Sequence, residues 1–420
     1  MKVLVENSRV NGRAVAPPSK SYTIRGLMCA ALAQGDSEIA NPLISDDTAA
    51  AASALEQVGV SVRKRDGCWV VNGGSLKRPG GDLFCGDSAA TLRFLTAICS
   101  LIPGCCRLTV GPSLAGRPVR PLIRALRQLG VDCSSQGEFA PVVVNGGRLR
   151  GGVVELAGNV SSQFVSALLL MAPLAEEGVT IRLSTSLESK SYVLMTLECL
   201  REFGVAVETS PDLTELRVAR QVYQPAEYAV EGDWSSASYL LALGAIAGEV
   251  TVDNMNPQSL QGDRAILGFL KDMGALVDIN GNSVTLQPAG LKALKADFND
   301  CIDLLPTMAI LAAAADGVSE FSSIDRARLK ESDRVMAVRE GLERMGVRVT
   351  EEKDRLTITG PAAGGSVIDS KGDHRIAMAF AVLGSVIGKT TIAGAECVTK
   401  TFPDFWGILE STGVRLRYNE

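Results

Sequence analysis

One pattern occurs six times along this chain: the end of an amphipathic helix, a glycine, and then an alternating apolar and polar stretch. The copies read ALEQVGVSV, ALRQLGVDC, CLREFGVAV, FLKDMGALV, GLERMGVRV and ILESTGVRL. Their glycines are Gly59, Gly130, Gly204, Gly274, Gly346 and Gly413, so by subtraction successive copies lie 67 to 74 residues apart. Glycine suits the left-handed position that ends a helix, and the alternation after it reads as a strand. A second series, Gly35, Gly104, Gly178, Gly248, Gly317 and Gly388, runs between the first at spacings of 69 to 74. Each member follows a very apolar helix such as FVSALLLMAPLAEEG, and most precede a strand such as VTIRL. The repeating unit is therefore helix, strand, helix, strand. Its first helix is apolar nearly all round and should be buried, while its second is amphipathic and should face solvent on one side.

Six such units in 420 residues exceed what one hydrophobic core serves, which gives two similar α/β domains of three units each. The alternative is a long open solenoid, but terminal repeats with polar outer faces are not visible. Apolar residues make up 46% of the chain, enough for two sizeable cores. Net charge is -5 and the basic residues form no long runs, which argues against a general nucleic-acid or membrane surface. The segment MKVLVENSRVNGRAV has no apolar signal core, and stretches such as IAMAFAVLGSVIG are too short to span a bilayer, so a soluble, cytoplasmic protein is expected. The ten cysteines include no CxxC pair and read as reduced, buried thiols. With one histidine, His374, a multi-histidine metal site is excluded, and proton transfer falls to Asp, Glu or Lys.

Polar residues gather just before the apolar helices, in PSKSYTIR, GDSAATLR, NVSSQF, GDWSSAS, NDCIDLLPT and GDHRIAM. The second helices begin similarly, with ISDD, AGRPVRP, ESKSY, SLQGD, RLKESDR and KTFPD. Serine and aspartate there are ordinary caps. The cations Lys20, Arg25, Arg93, Arg117, Lys330, Arg334, Arg375 and Lys400 are not, because the positive end of a helix favours acids. Their placement implies a shared negative partner, and a lysine flanked by hydroxyls in APPSKSYTIRG suits phosphate plus carboxylate better than phosphate alone. That segment lacks GxxxxGK[ST], so it is not a nucleotide-binding P-loop.

The segments PPSKSYTIR, NPLISDD, GRPVRPL, VSSQF, SKSY, VEGDWSSASY, QGD, RLKESDR, GDHRIAM and KTFPDFW resemble in order the 5-enolpyruvylshikimate-3-phosphate synthase family over essentially the whole chain. The resemblance implies a two-domain inside-out α/β barrel of six βαβαββ repeats, closing around its ligands. It places repeats 1 to 3 in residues 14–229, and repeats 4 to 6 in 230–420 together with 1–13, with chain crossings near Ala14 and between Tyr228 and Glu231. The reaction it implies moves the enolpyruvyl group of phosphoenolpyruvate to the 5-hydroxyl of shikimate 3-phosphate and releases phosphate, with no metal or organic cofactor. Two small-molecule substrates, a monomer, and no nucleic-acid or membrane partner are the corresponding expectations.

Position by position, Lys20 matches a lysine that touches both substrates and takes part in catalysis. Ser21, Arg25, Ser161, Ser162, Gln163, Ser189 and Tyr192 match contacts to shikimate 3-phosphate. Arg117, Arg334, Arg375 and Lys400 resemble the clamp on phosphoenolpyruvate, with Gln163 nearby. Asp303 corresponds to the general base for the 5-hydroxyl, Lys330 to a substrate-binding lysine, and Glu331 to the acid that handles the methylene proton. A carboxylate among cations has a depressed pKa, so Asp303 needs tight geometry to act as a base. Glu331 needs desolvation to hold a proton beside Lys330 and Arg334. His374 reads as a site-shaping neighbour of Arg375.

The chain departs from the family pattern at three positions. Asp87 stands where asparagine is common, setting a carboxylate near a bound polyanion. Ala89 stands where many members have the glycine that lines the phosphoenolpyruvate pocket, which is shared with the inhibitor glyphosate. Its extra methyl should crowd the longer inhibitor more than the substrate, giving weak inhibition. Arg326 replaces a common asparagine. Two other functions remain open at this point. One is the sister UDP-N-acetylglucosamine enolpyruvyl transferase, although Pro112 stands where that family has a loop cysteine. The other is a catalytically inactive anion-binding protein on the same fold.

Overall fold

The computed structural model describes residues 1–419. The chain forms two compact units, Pro18–Val230 (the first unit) and Met1–Pro17 with Glu231–Glu420 (the second). Each contains three four-stranded sheets, and all six sheets share one strand order. In the second repeat, for example, Leu83–Phe84 runs parallel to Gly104–Thr109, which pairs antiparallel with Phe139–Gly146, which pairs antiparallel with Asp132–Gln136. The helices Ala89–Ile98 and Arg120–Gln128 make the two crossovers, so the repeat is βαβαββ.

The first-type helices are Lys20–Leu32, Ala89–Ile98 and Ser162–Met171 in the first unit, and Trp234–Ala247, Leu305–Ala314 and His374–Ile387 in the second. They are buried nearly all round, as their composition requires. Leu27, Leu95 and Leu168 meet in one core, and Leu241, Leu311 and Phe380 in the other. The six glycines that end the second helices have φ between +76° and +103°, a region where a Cβ is strained, which explains why no other residue stands there.

Three of the sheets are completed by chain from far away. Lys2–Val5 pairs with both Thr390–Ala393 and Leu416–Asn419, and Val10–Val15 lies parallel to Gly248–Asp253. In the first unit Glu227–Ala229 supplies the opening strand beside Gly35–Ala40. Among the described residues no helix is long and apolar enough to cross a membrane, and all ten cysteines are free.

Candidate functional site

Five of the six first-type helices are capped by the residue that the sequence marks: Ser19, Ser88, Ser161, Asp233 and Asp373 each accept a backbone N–H. The fifth helix, Leu305–Ala314, is instead entered through a 3-10 turn, Ile302–Leu304, which carries Asp303. Capping leaves the neighbouring side chains to form two groups, one in each unit.

In the second unit Arg334, at 1% exposure, is the centre of the group. Its Nη1 donates to Asp303 Oδ1 at 2.7 Å, its Nε to Asp373 Oδ2 at 2.8 Å, and its Nη2 to Glu331, one turn back in the chain. Lys330 Nζ lies 3.2 Å from Asp303 Oδ1, and Arg375 Nη2 donates to Asp303 Oδ2 at 3.3 Å. Lys400 Nζ stands 3.8 Å from Glu331 Oε1. Six of the expected site residues, Asp303, Lys330, Glu331, Arg334, Arg375 and Lys400, thus come together in the second unit, while Lys20, Ala89, Arg117 and Gln163 belong to the first. Burial by itself would raise the Asp303 pKa, but Arg375, Lys330 and Arg334 hold it well below the usual carboxylate range. Burial likewise works against the Arg334 charge, but Asp373, Glu331 and Asp303 together raise its pKa.

The helix-start cations expected to meet a negative partner also have acids of the chain beside them. Asp303, Glu331 and Asp373 already face Arg334, and Asp47 plays the same part for Lys20 in the first unit, with Lys20 Nζ 3.0 Å from Asp47 Oδ2. Asp373 and Asp47 lie inside quoted motifs, GDHRIAM and ISDD, but one reads as a cap and the other as a first-turn acid. Only the tertiary partner reveals their second role. His374 sits behind this group, buried, with Nδ1 3.9 Å from Asp373 Oδ1. Arg326 turns to the Asn299 carbonyl.

Sequence reasoning also missed Asp263, within SLQGD, and Tyr239. Asp263 is buried and accepts the Ser235 hydroxyl. Burial, and then the Asp303 charge, push its pKa up to about 7. Burial pushes Tyr239 to about 12, against the pull of Arg375 and Arg334. A carboxyl raised above its ordinary value favours the folded protein at low pH, and that contribution is lost as pH rises through the folded value. Asp263→Asn should therefore gain stability over the parent between about pH 4 and pH 7 and hold the gain above it, reaching at most about 4 kcal/mol. Thermal unfolding of both proteins across that range checks this, and a difference that does not change with pH would show that Asp263 is charged throughout.

In the first unit Arg25 is 2% exposed and spends its guanidinium on the chain: Nε on Thr196 Oγ1 (2.8 Å), Nη1 on the Ser21 carbonyl (3.0 Å) and Nη2 on the Tyr192 carbonyl (3.1 Å). It thereby ties Lys20–Leu32 to Lys190–Glu202, the helices that carry Ser21 and Tyr192. Arg93 does the same for the third repeat. Its Nη1 reaches Ser161 Oγ (3.0 Å) and Gln163 Oε1 (2.8 Å), Nη2 the Pro118 carbonyl (3.2 Å), and its guanidinium lies over the Phe164 ring. Ser162 is the first residue of that helix and is buried. Ser189, before Lys190–Glu202, has φ +53°, an uncommon left-handed conformation of the kind found at ligand sites. Ala89 opens Ala89–Ile98 and is buried, and Arg117 follows a turn in which its N–H bonds the Leu114 carbonyl at 3.0 Å.

A family model for EPSP synthase (3-phosphoshikimate 1-carboxyvinyltransferase) matches residues 5–409. A 3-phosphoshikimate 1-carboxyvinyltransferase of Dehalococcoides mccartyi is 49% identical over 415 residues, covering 98% of each chain. One from Halobacterium salinarum is 44% identical over 428 residues, covering 98% of this chain and 99% of its own. Among solved structures, EPSP synthase from Acinetobacter baumannii superposes with a TM-score of 0.84 at 26% identity over 100% of both chains. The enolpyruvyl transferase NikO from Streptomyces tendae gives 0.81 at 18% identity, over 99% of this chain and 98% of its own, a likeness of fold alone.

Proposed function

Because the chain belongs to the EPSP synthase family, we propose that it transfers the enolpyruvyl group of phosphoenolpyruvate to the 5-hydroxyl of shikimate 3-phosphate, releasing phosphate. The observation that carries the reading is the second unit's group, where one buried acid pair, Asp303 and Glu331, is ringed by Lys330, Arg334, Arg375 and Lys400. Addition followed by elimination needs a base at the hydroxyl, an acid at the methylene carbon, and cations for a carboxylate and a phosphate. That group contains each kind.

The charges suggest how the base is switched on. Asp303 is held far below the usual range by three cations, so on its own it is a poor proton acceptor. When an anionic substrate engages those cations, their pull on Asp303 weakens and its proton affinity rises. Asp303 then takes the 5-hydroxyl proton as the oxygen attacks the central carbon of phosphoenolpyruvate, while Glu331 delivers a proton to the methylene carbon. The same acids reverse roles as the tetrahedral adduct loses phosphate. Lys20, Ser21, Arg25, Ser161, Ser162, Gln163, Ser189, Tyr192, Asp303 and Lys330 are assigned to shikimate 3-phosphate. Lys20, Ala89, Arg117, Gln163, Arg334, Arg375 and Lys400 are assigned to phosphoenolpyruvate. A cytoplasmic monomer belongs to the same proposal.

Phosphate release from phosphoenolpyruvate, measured in parallel with shikimate 3-phosphate and with UDP-N-acetylglucosamine, tests the reading. Release with the first acceptor alone is expected. Release with the second would point to the sister reaction, and binding without release would point to an inactive protein. On this reading Ala89→Gly should tighten glyphosate inhibition by tenfold or more, about 1.4 kcal/mol of relieved crowding. An unchanged inhibition constant would mean that the methyl is not what keeps the inhibitor out.

A further inference from the structure

Asp87 stands in the turn between Leu83–Phe84 and Ala89–Ile98, where its charge opposes any anion bound nearby. Its carboxylate is turned toward the chain. Oδ1 accepts the Leu114 N–H at 3.1 Å. The Leu114 carbonyl in turn accepts the Arg117 N–H at 3.0 Å, and Gly111 N–H bonds the Gly86 carbonyl at 2.8 Å. The segment from Gly111 to Arg117 is thus fixed to the Gly86–Asp87 turn at two points. The fit is close: a Cβ on Gly111 would lie 2.6 Å from Asp87 Oδ1 and 2.7 Å from Oδ2, so position 111 accepts a glycine because the carboxylate occupies the space.

We propose that Asp87 is a positioning residue that acts through the Gly111–Leu114 turn to hold Arg117 in place for the carboxylate or phosphate of phosphoenolpyruvate. The inference rests on the assignment of Arg117 made above. A bonded carboxylate supplies a fixed acceptor for a backbone N–H, and an asparagine could supply that acceptor without the charge. The acceptor is therefore the part that the turn requires.

Three single variants, Asp87→Ala, Asp87→Asn and Gly111→Ala, and one double variant test it. Asp87→Ala should increase hydrogen exchange in the peptide spanning residues 111–117 of the unliganded protein and raise KM for phosphoenolpyruvate about tenfold, the loss of one bond to a charged group, with a smaller change in kcat. Asp87→Asn should restore both to within about twofold. Gly111→Ala keeps Asp87 but displaces its carboxylate and should match Asp87→Ala, and the double variant Asp87→Ala with Gly111→Ala should be no worse than either single change. Wild-type exchange and KM in Asp87→Ala would overturn the inference, as would an Asp87→Asn that behaves like the alanine variant. Should Asp87→Ala fail to fold, Gly111→Ala and Asp87→Asn decide the matter by the same two readouts. If the parent protein turns over no phosphoenolpyruvate, the assigned reaction fails, while the exchange contrast still decides whether Asp87 holds the turn.

Discussion

Arg334→Met should destabilise the second unit by about 3–5 kcal/mol at pH 7, because it leaves Asp303, Glu331 and Asp373 buried without their central cation. For a unit of this size that is a fall in Tm of roughly 10 °C. The pH dependence has a definite sign. The Asp303 pKa is lowered in the folded protein, so its contribution is present above the ordinary carboxylate range and lost as pH falls through the folded value. The gap between parent and variant should therefore close as pH drops below about 4. Calorimetry at pH 7 and at low pH measures both. A variant as stable as the parent at pH 7 would mean that Lys330, Arg375 and Lys400 suffice to hold the carboxylates.

Asp303→Asn should leave the fold close to intact and lower kcat by about 10²- to 10⁴-fold, the usual range for a lost general base. The amide keeps an oxygen for Arg334 and Lys330 but cannot take the hydroxyl proton. Removing the negative charge should also bring the Asp263 pKa down toward its ordinary value, since the Asp303 charge is one of the causes that raise it. Steady-state kinetics with both substrates varied, together with titration of Asp263 by isotope-edited infrared spectroscopy, tests the two parts separately. Full turnover by Asp303→Asn would remove this residue from the chemistry.

The repeat was readable because its punctuation is chemical. A glycine at positive φ and a buried helix with no polar face each leave an unmistakable residue pattern. Four of the six opening strands left none: Leu83–Phe84, Glu227–Ala229, Lys295–Asp297 and Val367–Asp369 are two or three residues long, too short to alternate visibly. The βαβαββ form that includes them is implied by the family resemblance, not by periodicity. The cations of the site stood out because lysine and arginine are unusual at helix starts. Asp373, Asp47 and Asp263 did not, because an acid at a helix start is commonplace, and only the tertiary fold brings it a cation or a buried neighbour. Arg25 and Arg93 carry the same lesson in reverse, since their conspicuous charges also tie one repeat to another.

The pairing of Lys2–Val5 with Leu416–Asn419 also bears on how the protein is made. During synthesis the first unit has all of its strands once Ala229 has emerged, since Glu227–Ala229 closes its last open sheet. Lys2–Val5 must wait for Thr390–Ala393 and Leu416–Asn419 before its own sheet is complete. The second unit should thus reach its native state after the first, as the later and slower of two folding events, with the edge of Lys2–Val5 unpaired until Leu416–Asn419 can join it. A fusion that hinders residues 2–5 would burden that step while leaving the first unit untouched.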